Sequence, residues 1–403
     1  MTENFHPETI AASAGVATDA AHRAVSPPLY LSATYGWNSP EEKPAYDYSR
    51  SGNPTRTELG NALAALEGAA RGIITSSGMS AVDLPLNLVA PGELVLAPHD
   101  CYGGTFRLLS AHARRGNFRV EFVNQTDPAA FAAALAKKPK LVLIETPSNP
   151  LLRITDIAAV AAASKAAGAI LVADNTFLSP ALQQPLLLGC DIVVHSTTKY
   201  INGHSDVVGG AVLAKDAALG DELAWWANCT GVTGAPFDAF LTLRGLRTIF
   251  PRIERQQETA GLVATALAAD ERVAEVYYPG LSSHPGHDIA RRQQKGFGAM
   301  LSVEFADGVD VLGLLRGLNI FTIAESLGGF ESLVCTPSTM THAAMTPEAR
   351  TAAGISDRLV RFSIGLEHST DLIRDIFTSL DGVVAPSSSK VAYLRKQSEA
   401  HAC

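Results

Sequence analysis

From about residue 71 the hydrophobic positions fall into short unbroken runs rather than alternating ones: "GIITSSG", "ELVLAPHD", "FRVEFVN", "KLVLIETPSNP", "AILVADNTF" and "DIVVHSTTK". Between them lie stretches of helical character, "GTFRLLSAHARRG", "PAAFAAALAKK", "DIAAVAAASKAAG" and "PALQQPLLLG". A strand is apolar on both sides only when both faces of its sheet are covered. The alternation with helices therefore predicts a parallel sheet between two helical layers. "SSGMSA" reads as the tight turn between a strand and a helix. "ELGNALAALEG", just upstream, reads as a helix stopped by Gly68.

The pattern changes at both ends. Residues 1–60 are rich in Pro, Ser, Tyr and Gly and show little helical period, so they cannot bury a core of their own. They are expected to form an extended arm over another surface, such as a partner subunit. Past "AFLTLRGLRTIFPRIERQQETAGLVATALAAD", a helical pattern broken by Pro251, the runs "VAEVYYPG", "AMLSVEFA" and "LVRFSIGLE" predict a smaller antiparallel sheet with helices. The expected division is an arm over 1–60, an α/β part over 61–250, an α+β part over 251–385 and a patternless, disordered tail over 386–403.

Composition narrows the function. A chain of 403 residues exceeds one ordinary core, and 47% hydrophobic with 18% charged residues is normal for a soluble globular protein. A formal net charge of −8 without any Lys/Arg block argues against a nucleic-acid partner. No apolar stretch reaches the ~20 residues a membrane span needs, and the first residues lack the pattern of a signal peptide. Cys101, Cys190, Cys229, Cys335 and Cys403 show no CxxC spacing, which fits a reduced cytoplasmic protein without a metal site. No GxSxG or HExxH motif is present.

Ligands of such sheets gather beyond the carboxyl ends of the strands. His99–Tyr102, Glu145–Asn149, Asp174–Thr176 and Ser196–Lys199 all fall there. Lys199 could hold a carbonyl as a Schiff base while Ser196 and Thr198 hold a phosphate; a solvated lysine in a polar turn is the plainer reading. Asp174 follows the apolar run "AILVA" directly. It could pair with a protonated pyridine nitrogen, or cap the next helix. The turn Ser76–Ala81 could cradle a phosphate on backbone N–H groups or be an ordinary turn. Tyr102 could stack on a flat ring or pack in a core. "YDYSR" offers Asp47, Tyr48 and Arg50 without local partners; Arg50 suits a phosphate or belongs to a solvated loop, and Arg361 reads as a carboxylate clamp or a surface ion pair. His195 and His204 read as structural.

Taken together and in order, "YSRSGNPTR", "SSGMSA", "DCYGGTFR", "ETPSNP", "ADNTF", "VVHSTTKYINGHSDVVGG" and "ESLGG" resemble the Cys/Met-metabolism family of pyridoxal-phosphate enzymes, over about residues 8–385. The resemblance implies fold type I of pyridoxal-phosphate-dependent transferases, aspartate aminotransferase-like, with a mostly parallel seven-stranded sheet. It implies pyridoxal 5'-phosphate bound through Lys199, with Asp174 on the ring nitrogen and Tyr102 stacked on the ring. Ser76, Gly78, Met79, Ser196 and Thr198 match phosphate-binding positions, and Tyr48 and Arg50 match those that reach the phosphate from a neighbouring subunit. A homotetramer, a dimer of dimers with shared active sites, follows. Arg361, Asn149 and Ser326 match the site of the substrate's α-carboxylate, and Arg107 a position suited to a distal carboxylate. Asp47 and Glu325 resemble the versions in members that replace a γ-substituent. The implied reaction is attack of cysteine on O-succinylhomoserine; γ-elimination of cystathionine and a homocysteine-forming sulfhydrylation are the alternatives. A cofactor-binding protein without turnover is the reading from another class.

Overall fold

The computed structural model describes residues 5–343 and 345–383. Seven strands, β1 (Arg71–Thr75), β2 (Leu94–Pro98), β3 (Arg119–Val123), β4 (Leu141–Glu145), β5 (Ile170–Asp174), β6 (Ile192–His195) and β7 (Gly210–Ala214), form one sheet in the order β1-β7-β6-β5-β4-β2-β3. Only β7 runs against its neighbours, β1 and β6; the remaining pairs are parallel. Leu96, Val142, Ile144, Leu171, Ala173 and Val193 pack into one apolar cluster, and Val95, Leu141, Leu143, Val172, Ile192 and Val194 into another. Both faces are therefore covered, which is why these strands read as unbroken apolar runs.

A second sheet carries β8 (Val273–Tyr277), β9 (Met300–Phe305), β10 (Thr322–Ile323), β11 (Leu333–Cys335) and β12 (Leu359–Ser363) in the order β10-β11-β12-β9-β8. It is antiparallel, as expected, except for the two-residue parallel pair β10–β11. The helix before β1 spans Pro54–Glu67. The Asn53 side chain accepts from Arg56 N–H at its start, and Gly68 ends it in the left-handed conformation at φ 74°.

Three expectations change. "PALQQPLLLG" forms only the single turn Ser179–Leu182, because Pro185 cannot supply the N–H that a continuing helix needs. The long helical pattern is indeed two helices, Pro236–Leu246 and Ile249–Ala268, but the break falls at Arg247–Thr248. Pro251 lies in the first turn of the second helix, where a missing N–H costs nothing. The run "GAVLA" of β7, hidden behind two glycines, is a central strand. The N-terminal segment holds one short helix, Pro7–Ser13, and a bridge between Thr34 and Tyr48. It exposes Tyr30, Leu31, Trp37 and Tyr48. No described helix is long and apolar enough to cross a membrane. The tail, 386–403, lies outside the described residues.

Candidate active site

The carboxyl ends of five strands in the large sheet converge on one cavity of about 320 Å³. After β1 come Ser77, Gly78 and Met79; after β2, Tyr102; β4 ends in Glu145, followed by Asn149; β5 ends in Asp174; after β6 come Ser196, Thr198 and Lys199. The second sheet closes the cavity with Arg361 on β12 and with Glu325 and Ser326 after β10.

Lys199 Nζ donates to Ser326 Oγ at 2.6 Å. Ser326 holds a φ of 91°, a conformation that costs a non-glycine residue roughly 1–3 kcal/mol. Burial first, then the Arg361 cation, lower the Lys199 amine to about 8, while Glu325 pulls it upward. Arg361 is buried, donating from Nη1 to Asn149 Oδ1 and from Nη2 to Ser326 O, both at 2.9 Å. Its Nε is buried without a partner. Asp174 accepts Thr176 N–H at 3.0 Å, and burial raises it above the ordinary carboxylate range. Glu145, on the neighbouring register position of β4, is raised well above that range by burial and then by Asp174. Two carboxyls side by side in a closed cavity call for a cation.

The polar wall is close-packed. A Cβ on Gly78 would stand 2.5 Å from Ser196 Cβ, so this approach requires glycine. Thr198 Oγ1 accepts Gly209 N–H at 3.0 Å, and Ser196 N–H donates to Thr176 Oγ1 at 2.9 Å. The Ser77 side chain accepts Ser80 N–H.

A family model described as Cys/Met metabolism PLP-dependent enzyme matches residues 8–381. The chain belongs to this family. Among curated relatives, a cystathionine gamma-synthase of Escherichia coli (strain K12) is 54% identical over 370 residues, covering 91% of this chain and 96% of its own. A cystathionine beta-lyase of Lactococcus lactis is 42% identical over 367 residues, with coverage of 91% and 97%. The solved structure of a cystathionine gamma synthase from Xanthomonas oryzae pv. oryzae, in complex with aminoacrylate and cysteine, superposes with a TM-score of 0.93 at 56% identity, covering 94% of this chain and 98% of that one. A cystathionine gamma-lyase from Lactobacillus plantarum gives 0.92 at 38% identity, covering 94% and 99%.

As a member of this family the chain is a fold type I, pyridoxal-phosphate-dependent enzyme of the cystathionine synthase and lyase group. The residues present suit that cofactor: the Asp174 carboxyl for a protonated ring nitrogen, a lysine for its aldehyde, and hydroxyls beside Gly78 for its phosphate. Of the residues singled out in the sequence, Gly78, Met79, Tyr102, Asn149, Asp174, Ser196, Thr198, Lys199, Glu325, Ser326 and Arg361 line the cavity. Ser76 does not; it is exposed, its hydroxyl 3.0 Å from Ser80 Oγ, and Ser77 takes the place on the wall. Arg107 is exposed one helical turn beyond Tyr102. Asp47, Tyr48 and Arg50 stand away from the cavity. Asp47 accepts from Ser51 at 2.9 Å, and Arg50 Nε donates to Asn228 at 3.0 Å. His195 pairs with Glu67 at 2.7 Å, both side chains fully buried.

Sequence reasoning gave no role to Thr341 or His342, and it left Ser77 as one position of the turn Ser76–Ala81 and Glu145 and Thr176 as polar residues at strand ends. His342 is buried with Nε2 3.0 Å from Asn149 O, and burial lowers it to about 4, so it is neutral. A histidine inside "MTHAAM" carries no local mark of that contact.

Proposed function

We propose that the enzyme is a cystathionine γ-synthase, joining cysteine to Cγ of O-succinylhomoserine with release of succinate. The support is the higher identity to synthases, 54% and 56%, than to lyases, 42% and 38%. Glu325 at the cavity wall is consistent with it. Asp47, the other residue read that way, lies outside this chain's own cavity, so it supports the reading only if the arm serves a partner.

Lys199 would hold the cofactor's aldehyde, Asp174 its ring nitrogen, Tyr102 its ring face, and Ser77, Gly78, Met79, Ser196 and Thr198 its phosphate. Bound there, the cofactor supplies an electron sink for the charge that develops at Cα. Arg361 and Asn149 clamp the α-carboxylate. Lys199, freed when the substrate's amine takes its place, would act as the free amine on one proton at a time, taking the Cα proton and handing it on before it takes the Cβ proton. The Cγ–O bond to succinate would break, the cysteine sulfur, its thiol proton released, would bond to Cγ, and Lys199 would return one proton to Cβ and then one to Cα.

In this reading the chain divides into the arm (1–60), the cofactor-binding α/β part (61–250) and the α+β part (251–385). Tyr48 and Arg50 complete the site of a neighbouring subunit in a cytoplasmic homotetramer, and the aromatic side chains exposed on the arm suit that burial. Arg107 would meet the distal carboxylate. The γ-lyase reading is the second, favoured by the close superposition on a γ-lyase. Purified holoenzyme with O-succinylhomoserine and cysteine should form cystathionine faster than it forms 2-oxobutyrate without cysteine. An inert ester, with cystathionine split to cysteine and 2-oxobutyrate, would overturn the synthase in favour of the lyase.

A further inference from the structure

Glu145 is the last residue of β4, buried at 7% exposure, and it lines the cavity. Its two oxygens are divided. Oε2 accepts the backbone N–H of Tyr102 at 2.9 Å, and Oε1 accepts the backbone N–H of Asn149 at 2.9 Å. These two residues sit on different loops. The Tyr102 ring is 39% exposed and opens the helix Gly103–Arg114 without a side-chain cap of its own. Asn149 is 3% exposed and passes its orientation on, since its Oδ1 takes Arg361 Nη1 at 2.9 Å. That bond fixes the amide and turns Nδ2 the other way. The backbone oxygen of Asn149 is tied in turn to His342.

We infer that Glu145 is a positioning residue that sets the ring platform, Tyr102, and the carboxylate anchor, Asn149–Arg361, from a single side chain. This rests on the proposed reading of Asn149 and Arg361 as the α-carboxylate site. Two backbone N–H donors face the one carboxyl group, one on each oxygen, so each oxygen serves as an acceptor. Glutamine fills the same space but presents an NH₂ to one N–H, which breaks one bond and leaves a buried donor unpaired. Because the loops share the group, either broken bond lets the side chain swing and loosens both halves of the site.

The test compares wild-type, E145Q and R361K holoenzymes by two readouts. One is release of the cofactor on dialysis, followed by loss of visible absorbance. The other is spectral titration with L-serine and with L-serinamide, which lacks the carboxylate. E145Q should release cofactor roughly tenfold more readily and lose roughly tenfold of the preference for serine over its amide. R361K should lose the preference alone. If R361K loses it and E145Q keeps either wild-type property, the inference fails while the anchor reading stands. If R361K keeps the full preference, the anchor reading fails and the inference falls with it. Should E145Q not accumulate as folded protein, amide exchange in the wild type decides. Protection of both Tyr102 and Asn149 N–H supports the shared hold, and open-loop exchange of either overturns it.

Discussion

Lys199 can accept a proton only as the free amine, so kcat should fall roughly tenfold per unit as pH drops below about 8. Glu325 opposes the lowering, and E325Q should therefore move this acid limb to lower pH, read from kcat against pH; an unmoved or raised limb would deny Glu325 the role. Ser326 sets a second test. At φ 91° glycine is the relaxed residue, so Ser326→Gly should raise stability by about 1 kcal/mol in denaturant unfolding. It also removes the hydroxyl 2.6 Å from Lys199 Nζ, and kcat should drop. Stability and rate moving together would refute the idea that strain at Ser326 serves the lysine. At this scale the sequence made Lys199, Asp174 and Tyr102 legible because polar residues that directly follow apolar strands are conspicuous. Ser76 was named as the phosphate-binding serine where Ser77 lines the cavity, since in "SSG" nothing local says which of the two faces inward. His342 stayed silent and Glu145 showed only as a strand-end acid, because the backbone atoms they bond carry no mark in the sequence.

Elements, rather than residues, decide how the cofactor wall is spaced. The turn after β1 meets the turn after β6 at Gly78 and Ser196 with no room for a methyl group. Gly78→Ala should cost about 1–3 kcal/mol of stability through the forced separation. It should also weaken cofactor binding, measured by equilibrium dialysis, with little change in KM for the amino acid at saturating cofactor. Undiminished affinity would show that the two turns move independently. The strands β2, β4, β5 and β6 were readable from their continuous apolar runs, a direct consequence of helices on both faces, while the edge strand β3 is interrupted by Glu121. β7 escaped notice because "GAVLA" begins in a glycine pair and offers few large side chains. The misread helix at 180–189 and the misplaced break at Pro251 have one cause: a proline acts by its position in the turn, which periodicity alone does not give.

For the whole molecule, the placement of Arg50 and Tyr48 away from their own chain's cavity makes a prediction about mixtures. K199A and R50A variants, each inactive or nearly so, should regain activity when dissociated and reassociated together. A mixed pair then holds one site with both residues intact. No recovery would mean that each site is built within a single chain and would remove the arm from the mechanism. The topology has a consequence in time as well. β1 finds its hydrogen-bonded neighbour only in β7, Arg71 opposite Ala214, and the cavity it helps to line also needs Ser326 and Arg361 from late in the chain. A polypeptide emerging from the ribosome therefore carries its first strand unmated until β7, Gly210–Ala214, has been made. The site that captures the cofactor comes into being only after Arg361 has been made.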